Sequence, residues 1–135
     1  LAVDTGCGSG QSTLPLASQF DKVVGLDISE AQLKEGRKEA ENQRISNVEF
    51  IKSAAEDLRF FEDRTVDLIT CAQALHWLDI DKFYKEVQRV LKPGGVLAAY
   101  GYGNISLDLP EATQLIKSVS IDNKTKINKT KQLQG

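Results

Sequence analysis

Leu1-Ala2-Val3-Asp4-Thr5-Gly6-Cys7-Gly8-Ser9-Gly10 decides the fold of this 135-residue chain. An apolar run ends in an acid, and glycines then fall at every second position. The pattern reads as the end of a buried strand passing into a glycine-rich turn, with a helix starting just beyond. Glycine there lets the backbone come close to a ligand and take angles that a Cβ forbids. N–H groups at the start of the helix would face that ligand. A tight strand-to-helix turn that holds no ligand is the alternative.

The spacing separates kinds of nucleotide site. A dinucleotide fingerprint needs a third glycine where Gln11 stands, and a phosphate loop needs a Lys-Ser/Thr pair after the last glycine. This chain has neither.

Outward from the loop, strands and helices alternate. Leu1–Asp4 is the first strand. Ser12 or Thr13 caps a short helix that runs to Phe20, with Pro15 in its first turn. Lys22–Asp27 is a second strand ending in an acid. Ser29-Glu30-Ala31-Gln32 forms a capping box, and a charged helix follows to about Arg44. Asn47–Lys52 is a third strand, residues 54–61 are a loop, and Val66–Ala72 is a fourth, buried strand. Asp79 or Asp81 starts a helix with Ile80, Phe83, Val87, Val90 and Leu91 on one face. Lys92-Pro93-Gly94-Gly95 stops it, and Val96–Tyr100 is a fifth strand. The expected fold is α/β: a Rossmann-like parallel sheet with flanking helices, truncated to about five strands. Ligands gather at the carboxyl ends of such strands. Asp4–Gly10, Asp27, Ala55–Asp57 and Ala72–Trp77 therefore share one rim.

Composition narrows the class. The formal net charge of -2 argues against a nucleic-acid partner. Residues 104–135 carry five Lys against three acids, so the rest of the chain is more acidic than the total suggests. Cys7 and Cys71 show no metal-ligand spacing, so no metal is expected, and they suit a reducing compartment. With no signal-peptide pattern and no apolar run of spanning length, a cytoplasmic location and no membrane partner are expected. The chain contains no Met and opens inside its first strand. That suggests a fragment lacking a preceding helix, with the fifth strand left as an aggregation-prone edge. Residues 1–103 read as the core domain. Residues 104–135 read as a polar, Lys-rich tail, partly helical or disordered, with one amphipathic stretch at Pro110–Val119 and no clear strand. Asn104, Asn123 and Asn128 sit in glycosylation-like triplets but read as polar loop residues.

Two further motifs carry a resemblance. Asp4 with Gly6, Gly8 and Gly10 resembles the first motif of class I S-adenosylmethionine-dependent methyltransferases, an acid followed by G-x-G-x-G. Thr70-Cys71-Ala72-Gln73-Ala74-Leu75-His76-Trp77 resembles the fourth motif of their small-molecule branch, in which Gln-Ala-x-His-Trp follows the fourth strand. Together with Leu91-Lys92-Pro93-Gly94-Gly95 it is similar to the trans-aconitate methyltransferase-like proteins. The resemblance covers residues 1–103. It implies S-adenosylmethionine as cofactor and methyl transfer to a small-molecule acceptor.

Asp27 lies 17 residues after Gly10. A carboxylate there can accept from both ribose hydroxyls of an adenosyl group; a cap for the next helix is the alternative. In the family, the acid at Asp4 helps position the loop and the methionine end of the cofactor. A simple turn acid is the other reading, and both keep it at the rim. Ser53-Ala54-Ala55-Glu56-Asp57-Leu58 resembles the adenine-contacting segment, commonly Gly-Asp-Ala-Glu-Asp/Asn-Leu-Pro-Phe. Here Ser53-Ala54 replaces Gly-Asp and Arg59 replaces Pro. The usual acid is absent at Ala54, so Glu56 or Asp57, with the backbone of Ala55, would substitute; a solvated acidic loop is the alternative. Ile28, Ala72 and Gln73 complete the implied cofactor set. His76 is the lone histidine. The resemblance puts it where the methyl group points, as the candidate catalytic residue, although a lone His can equally be structural. Trp77 walls the pocket or belongs to the core.

Methyl transfer from a sulfonium is an in-line displacement, so the protein mainly aligns and desolvates the reactants. A base is needed only where the acceptor loses a proton, and His76 could serve. Two readings compete with a methyltransferase acting on a small molecule: a non-catalytic truncated isoform or pseudo-enzyme, and a nicotinamide-dependent oxidoreductase, against which Gln11 counts.

Overall fold

The structure is a computed structural model that describes residues 1–72, 79–100, 121–122 and 126–127. Five strands form one parallel sheet: β1 (Ala2–Thr5), β2 (Val23–Asp27), β3 (Val48–Lys52), β4 (Val66–Ala72) and β5 (Leu91–Tyr100). Their order is β3-β2-β1-β4-β5. Helices α1 (Thr13–Leu16), α2 (Glu30–Asn42) and α3 (Ile80–Val90) connect them. The strand order reverses between β1 and β4, and ligands of open α/β sheets bind outside the strand ends at such a switch point. The expected α/β, Rossmann-like parallel sheet is thus the fold observed.

Alternation along each strand sorts side chains to two faces. Val3, Val24, Ile69 and Leu97 share one register row and one core with Phe83, Val87 and Val90 of α3. Those three helix residues are spaced four and three apart, which gives α3 a single apolar stripe. Burying each contributes about 1.5–3 kcal/mol. The opposite face packs Cys7, Leu14, Leu33, Ala40 and Phe50 beneath α1 and α2. Cys7 and Cys71 fall into different cores, and both are free thiols.

Several boundaries differ from the sequence expectation. The first helix ends at Leu16, not Phe20. Asn47 donates its side-chain amide to the carbonyls of Ala17 (2.8 Å) and Phe20 (2.9 Å), and the intervening residues form turns. Ser12 does not cap that helix; its hydroxyl goes to Asp4 instead. Ser29 and Asp79 do cap α2 and α3, accepting from the N–H groups of Gln32 and Lys82. Helix α2 stops at Asn42 with Arg44 beyond it at φ 56°. The Arg44 N–H reaches Glu41 O and the Ile45 N–H reaches Ala40 O, the paired bonds of a Schellman motif.

The Lys92-Pro93-Gly94-Gly95 run ends α3 but does not delay the strand. Leu91 pairs with Val66 and Val96 with Leu68, so the residues between them bulge out of the ladder. Leu91 is pulled into the core, 5% exposed, which starts β5 five residues early. In the tail, where no strand is expected, β6 (Ile121–Asp122) and β7 (Lys126–Ile127) form a short antiparallel pair. The amphipathic stretch 110–119 and the glycosylation-like triplets are outside the described residues, apart from Lys126 and Ile127 nearby.

Candidate cofactor site

The β1 strand delivers Asp4 directly beneath the glycine loop. Its carboxylate is fully buried. Oδ1 accepts from the Thr70 hydroxyl (2.7 Å), and Oδ2 accepts from the hydroxyls of Ser12 (2.8 Å) and Thr13 (2.7 Å). Burial pushes this carboxyl above its ordinary range, and the Asp27 charge adds to that; the three hydroxyl bonds pull the other way. Asp4 is therefore not an acid facing outward at the rim. It lies under the loop and ties the start of α1 to β4. Ser12, Thr13 and Thr70 had no place in the expected site.

Above Asp4 the loop turns on left-handed backbone angles. Gly8 has φ +56° and no heavy atom within 4 Å of the position a Cβ would take, so this side of the loop is open. Gly10 has φ +89°, and a Cβ there would stand 3.0 Å from the Phe50 ring. One glycine leaves space for a ligand; the other lets the loop settle on the core.

Asp27 ends β2 and faces the loop. Oδ2 accepts from the Gly8 N–H at 2.8 Å, and Oδ1 accepts from the Ser29 N–H at 2.9 Å. The cap of α2 is Ser29, so Asp27 acts as a bridge between two loops rather than as the helix cap. Beside it Ile28 is 72% exposed. The carbonyl of Asp27 accepts from the Ser53 N–H at 3.0 Å, which draws the third loop to the same rim.

In that third loop Ala55 is buried and Glu56 is half-buried. Arg59 closes on Asp57, its Nε lying 2.9 Å from both carboxylate oxygens. These bonds hold the Asp57 carboxyl below the usual range. Glu56 makes no side-chain hydrogen bond or ion pair with any described residue. Of the two acids in this segment, Glu56 is the one available. The substitution of Arg for Pro at position 59 thus has a structural consequence that sequence reading passed over.

Ala72 is the last residue of β4, paired with Tyr100 on β5. Gln73, His76 and Trp77 lie outside the described residues. Cys7 is buried within the loop, and burial pushes its thiol up to about 12, with Asp4 and Asp27 adding to the effect. It stays protonated and is no nucleophile. Among the described residues no group of three or more His, Cys, Asp or Glu side chains could hold a metal. A cleft of about 580 Å³ opens between the loop, α1 and α2, bounded by residues such as Gln11, Pro15, Glu35 and Lys38. Of the expected cofactor residues it touches only Gly10, so it is not the space over Asp27.

The sequence model of the methyltransferase domain matches residues 3–99. A Dictyostelium discoideum protein bearing a methyltransferase name is 39% identical over 116 residues, covering 86% of this chain and 41% of that protein. The demethylmenaquinone methyltransferase of Bacillus cereus is 39% identical over 98 residues, covering 70% of this chain and 41% of the enzyme. Among solved structures, geranyl diphosphate methyltransferase in complex with S-adenosylmethionine superposes with a TM-score of 0.68 at 29% identity, over 73% of this chain and 40% of that one. The chain thus spans about two fifths of the length of the curated relatives it matches. With a family match running from the first strand to the fifth and a sheet order that brings Asp27, Gly8 and Ser53 together, the chain belongs to the methyltransferase-domain family.

Proposed function

We propose that this chain is the cofactor-binding core of a class I methyltransferase that moves a methyl group from S-adenosylmethionine to a small-molecule acceptor. One observation carries the reading. Each oxygen of Asp27 takes one backbone N–H, from Gly8 and from Ser29. An ionised carboxylate has about four acceptor positions, so each oxygen retains one. A ribose presents two adjacent hydroxyl donors that match them. We assign the other predicted residues to the rest of the cofactor. Ile28 offers an exposed apolar surface beside Asp27 for a flat base. Glu56 and the backbone of Ala55 supply polar partners for the base edge. Gly8 gives the methionine portion an approach to bare backbone, and Gly6 and Gly10 shape the same loop. Asp4 acts from below by holding the loop. Ala72 ends β4 at the sheet's switch point, and the resemblance assigns Gln73 to the same cofactor set.

When bound, S-adenosylmethionine supplies a methyl group on a cationic sulfur that leaves as a neutral thioether. The protein's own task is orientation and exclusion of water. No activated nucleophile is required, in keeping with the protonated Cys7. His76 is the residue proposed to accept a proton from a hydroxyl or amine acceptor; a carboxylate acceptor needs none.

The Gln-Ala-x-His-Trp sequence of residues 73–77 and the Leu-Lys-Pro-Gly-Gly of residues 91–95 support the small-molecule branch resembling trans-aconitate methyltransferases. The family match over residues 3–99 supports a core domain of residues 1–103 with residues 104–135 apart from it. The test is incubation with methyl-labelled S-adenosylmethionine and panels of small carboxylic acids, phenols and amines. Label in the extractable small-molecule fraction is expected. Label confined to protein, or cofactor binding with no transfer to any panel, would overturn the acceptor class.

A further inference from the structure

We propose that Arg89, with Glu86 one turn before it on α3, is a positioning residue for the base-side wall of the cofactor site. The inference rests on the cofactor reading above and adds a residue far from the rim to it.

The guanidinium has five N–H donors, and all five are engaged. Nε and one Nη2 hydrogen go to the two Glu86 carboxylate oxygens, at 2.8 and 2.9 Å. The other Nη2 hydrogen goes to the Leu58 carbonyl at 3.0 Å. The Nη1 group spans the Phe61 carbonyl and Asp63, both at 2.9 Å. Glu86 in turn accepts from the Leu58 N–H at 3.2 Å. Both backbone polar groups of Leu58 are thus held by one helix turn, while its side chain is fully buried in the core with α3.

Leu58 closes the segment that carries Ala55 and Glu56. The other end is fixed by the Ser53 N–H on the Asp27 carbonyl. Between these anchors Ser53 Oγ reaches the carbonyls of Ala54 and Asp57, each at 3.2 Å. Glu56 therefore sits on a short span with one foot on the ribose acid and the other on Arg89. Loss of the second foot should loosen the base wall while leaving the Gly8–Asp27 contact in place. Lysine cannot replace the planar fork that joins Glu86 to two carbonyls at once.

The consequence is selective. A Glu56 carboxylate held opposite position 6 of the base favours a 6-amino purine, which donates there, over a 6-oxo purine, which presents an acceptor there and carries its donor on N1. Binding of S-adenosylhomocysteine and S-inosylhomocysteine should be compared by calorimetry in the wild type, Arg89→Met, Arg89→Lys and Asp63→Ala. The wild type should prefer the adenosyl ligand. Arg89→Met should lose about tenfold in affinity for it and little for the inosyl ligand, closing the gap. Arg89→Lys should close it in part, and Asp63→Ala, which removes one exposed contact, should leave most of it. If Arg89→Met does not fold, the lysine and alanine variants still decide. A gap unchanged in folded Arg89→Lys, or absent in the wild type, would overturn the inference alone. A wild type that binds neither ligand would overturn the cofactor reading and this inference with it.

Discussion

The Gly8 N–H donates to Oδ2 of Asp27 at 2.8 Å, joining residues 19 apart in the chain. It sets the carboxylate against the open side of the glycine loop. The Ser29 N–H holds the other oxygen, so the group cannot swing away. Both contacts are to backbone, and neither consumes the charge.

Asp27→Asn keeps the shape but removes the charge and replaces one acceptor with a donor facing Gly8 or the ribose. S-adenosylhomocysteine binding should weaken by about 1.5–3 kcal/mol, with only a small change in melting temperature. An unchanged dissociation constant in calorimetry would reduce Asp27 to a loop brace.

Asp4→Ala leaves the hydroxyls of Ser12, Thr13 and Thr70 without their acceptor. Relief of the buried charge offsets part of that loss. The net cost should be about 2–4 kcal/mol in urea unfolding, and the folded fraction should bind ligand more weakly because the loop is no longer tied to β4. Wild-type stability in this variant would show that the network is dispensable.

Arg44 occupies the left-handed position after α2 at φ 56°, where a Cβ is strained. Arg44→Gly should stabilise the fold by about 0.5–1 kcal/mol. A lower melting temperature would mean that the arginine side chain has a role that outweighs its backbone strain.

Acid should unfold the protein partly through Glu86. Hydrogen bonds from Arg89 hold its carboxyl below the ordinary value of 4.5. A depressed folded pKa gives stability that is present above the unfolded value and lost as pH falls through the folded one. Asp57 acts in the same direction through Arg59. Asp4 acts oppositely, since its raised pKa makes the folded state bind a proton more readily as pH falls toward 3.8. Glu86→Gln should be less stable at neutral pH and should lose less stability as the pH falls below 4.5. An acid limb as steep as the wild type's would assign the titration elsewhere.

What sequence could reveal here is local. The glycine loop, Asp27 and the caps at Ser29 and Asp79 depend on neighbours within a few residues. Asp4 and Thr70 lie 66 residues apart and meet only because β4 pairs with β1. The end of α1 depends on Asn47, 30 residues from Ala17. Arg89 reads as an ordinary basic residue near a helix end until the fold sets Leu58 and Phe61 beside it. The early start of β5 follows from burial of Leu91, which outweighs the turn signal of the next four residues. In the acidic loop, the pairing of Arg59 with Asp57 separates two acids that sequence leaves equivalent.

Calorimetry with S-adenosylhomocysteine and, separately, NAD tests the central claim most directly. Saturable binding of S-adenosylhomocysteine, abolished or sharply weakened in Asp27→Asn, with no heat from NAD, is the expected result. Binding of NAD with no response to S-adenosylhomocysteine would contradict it.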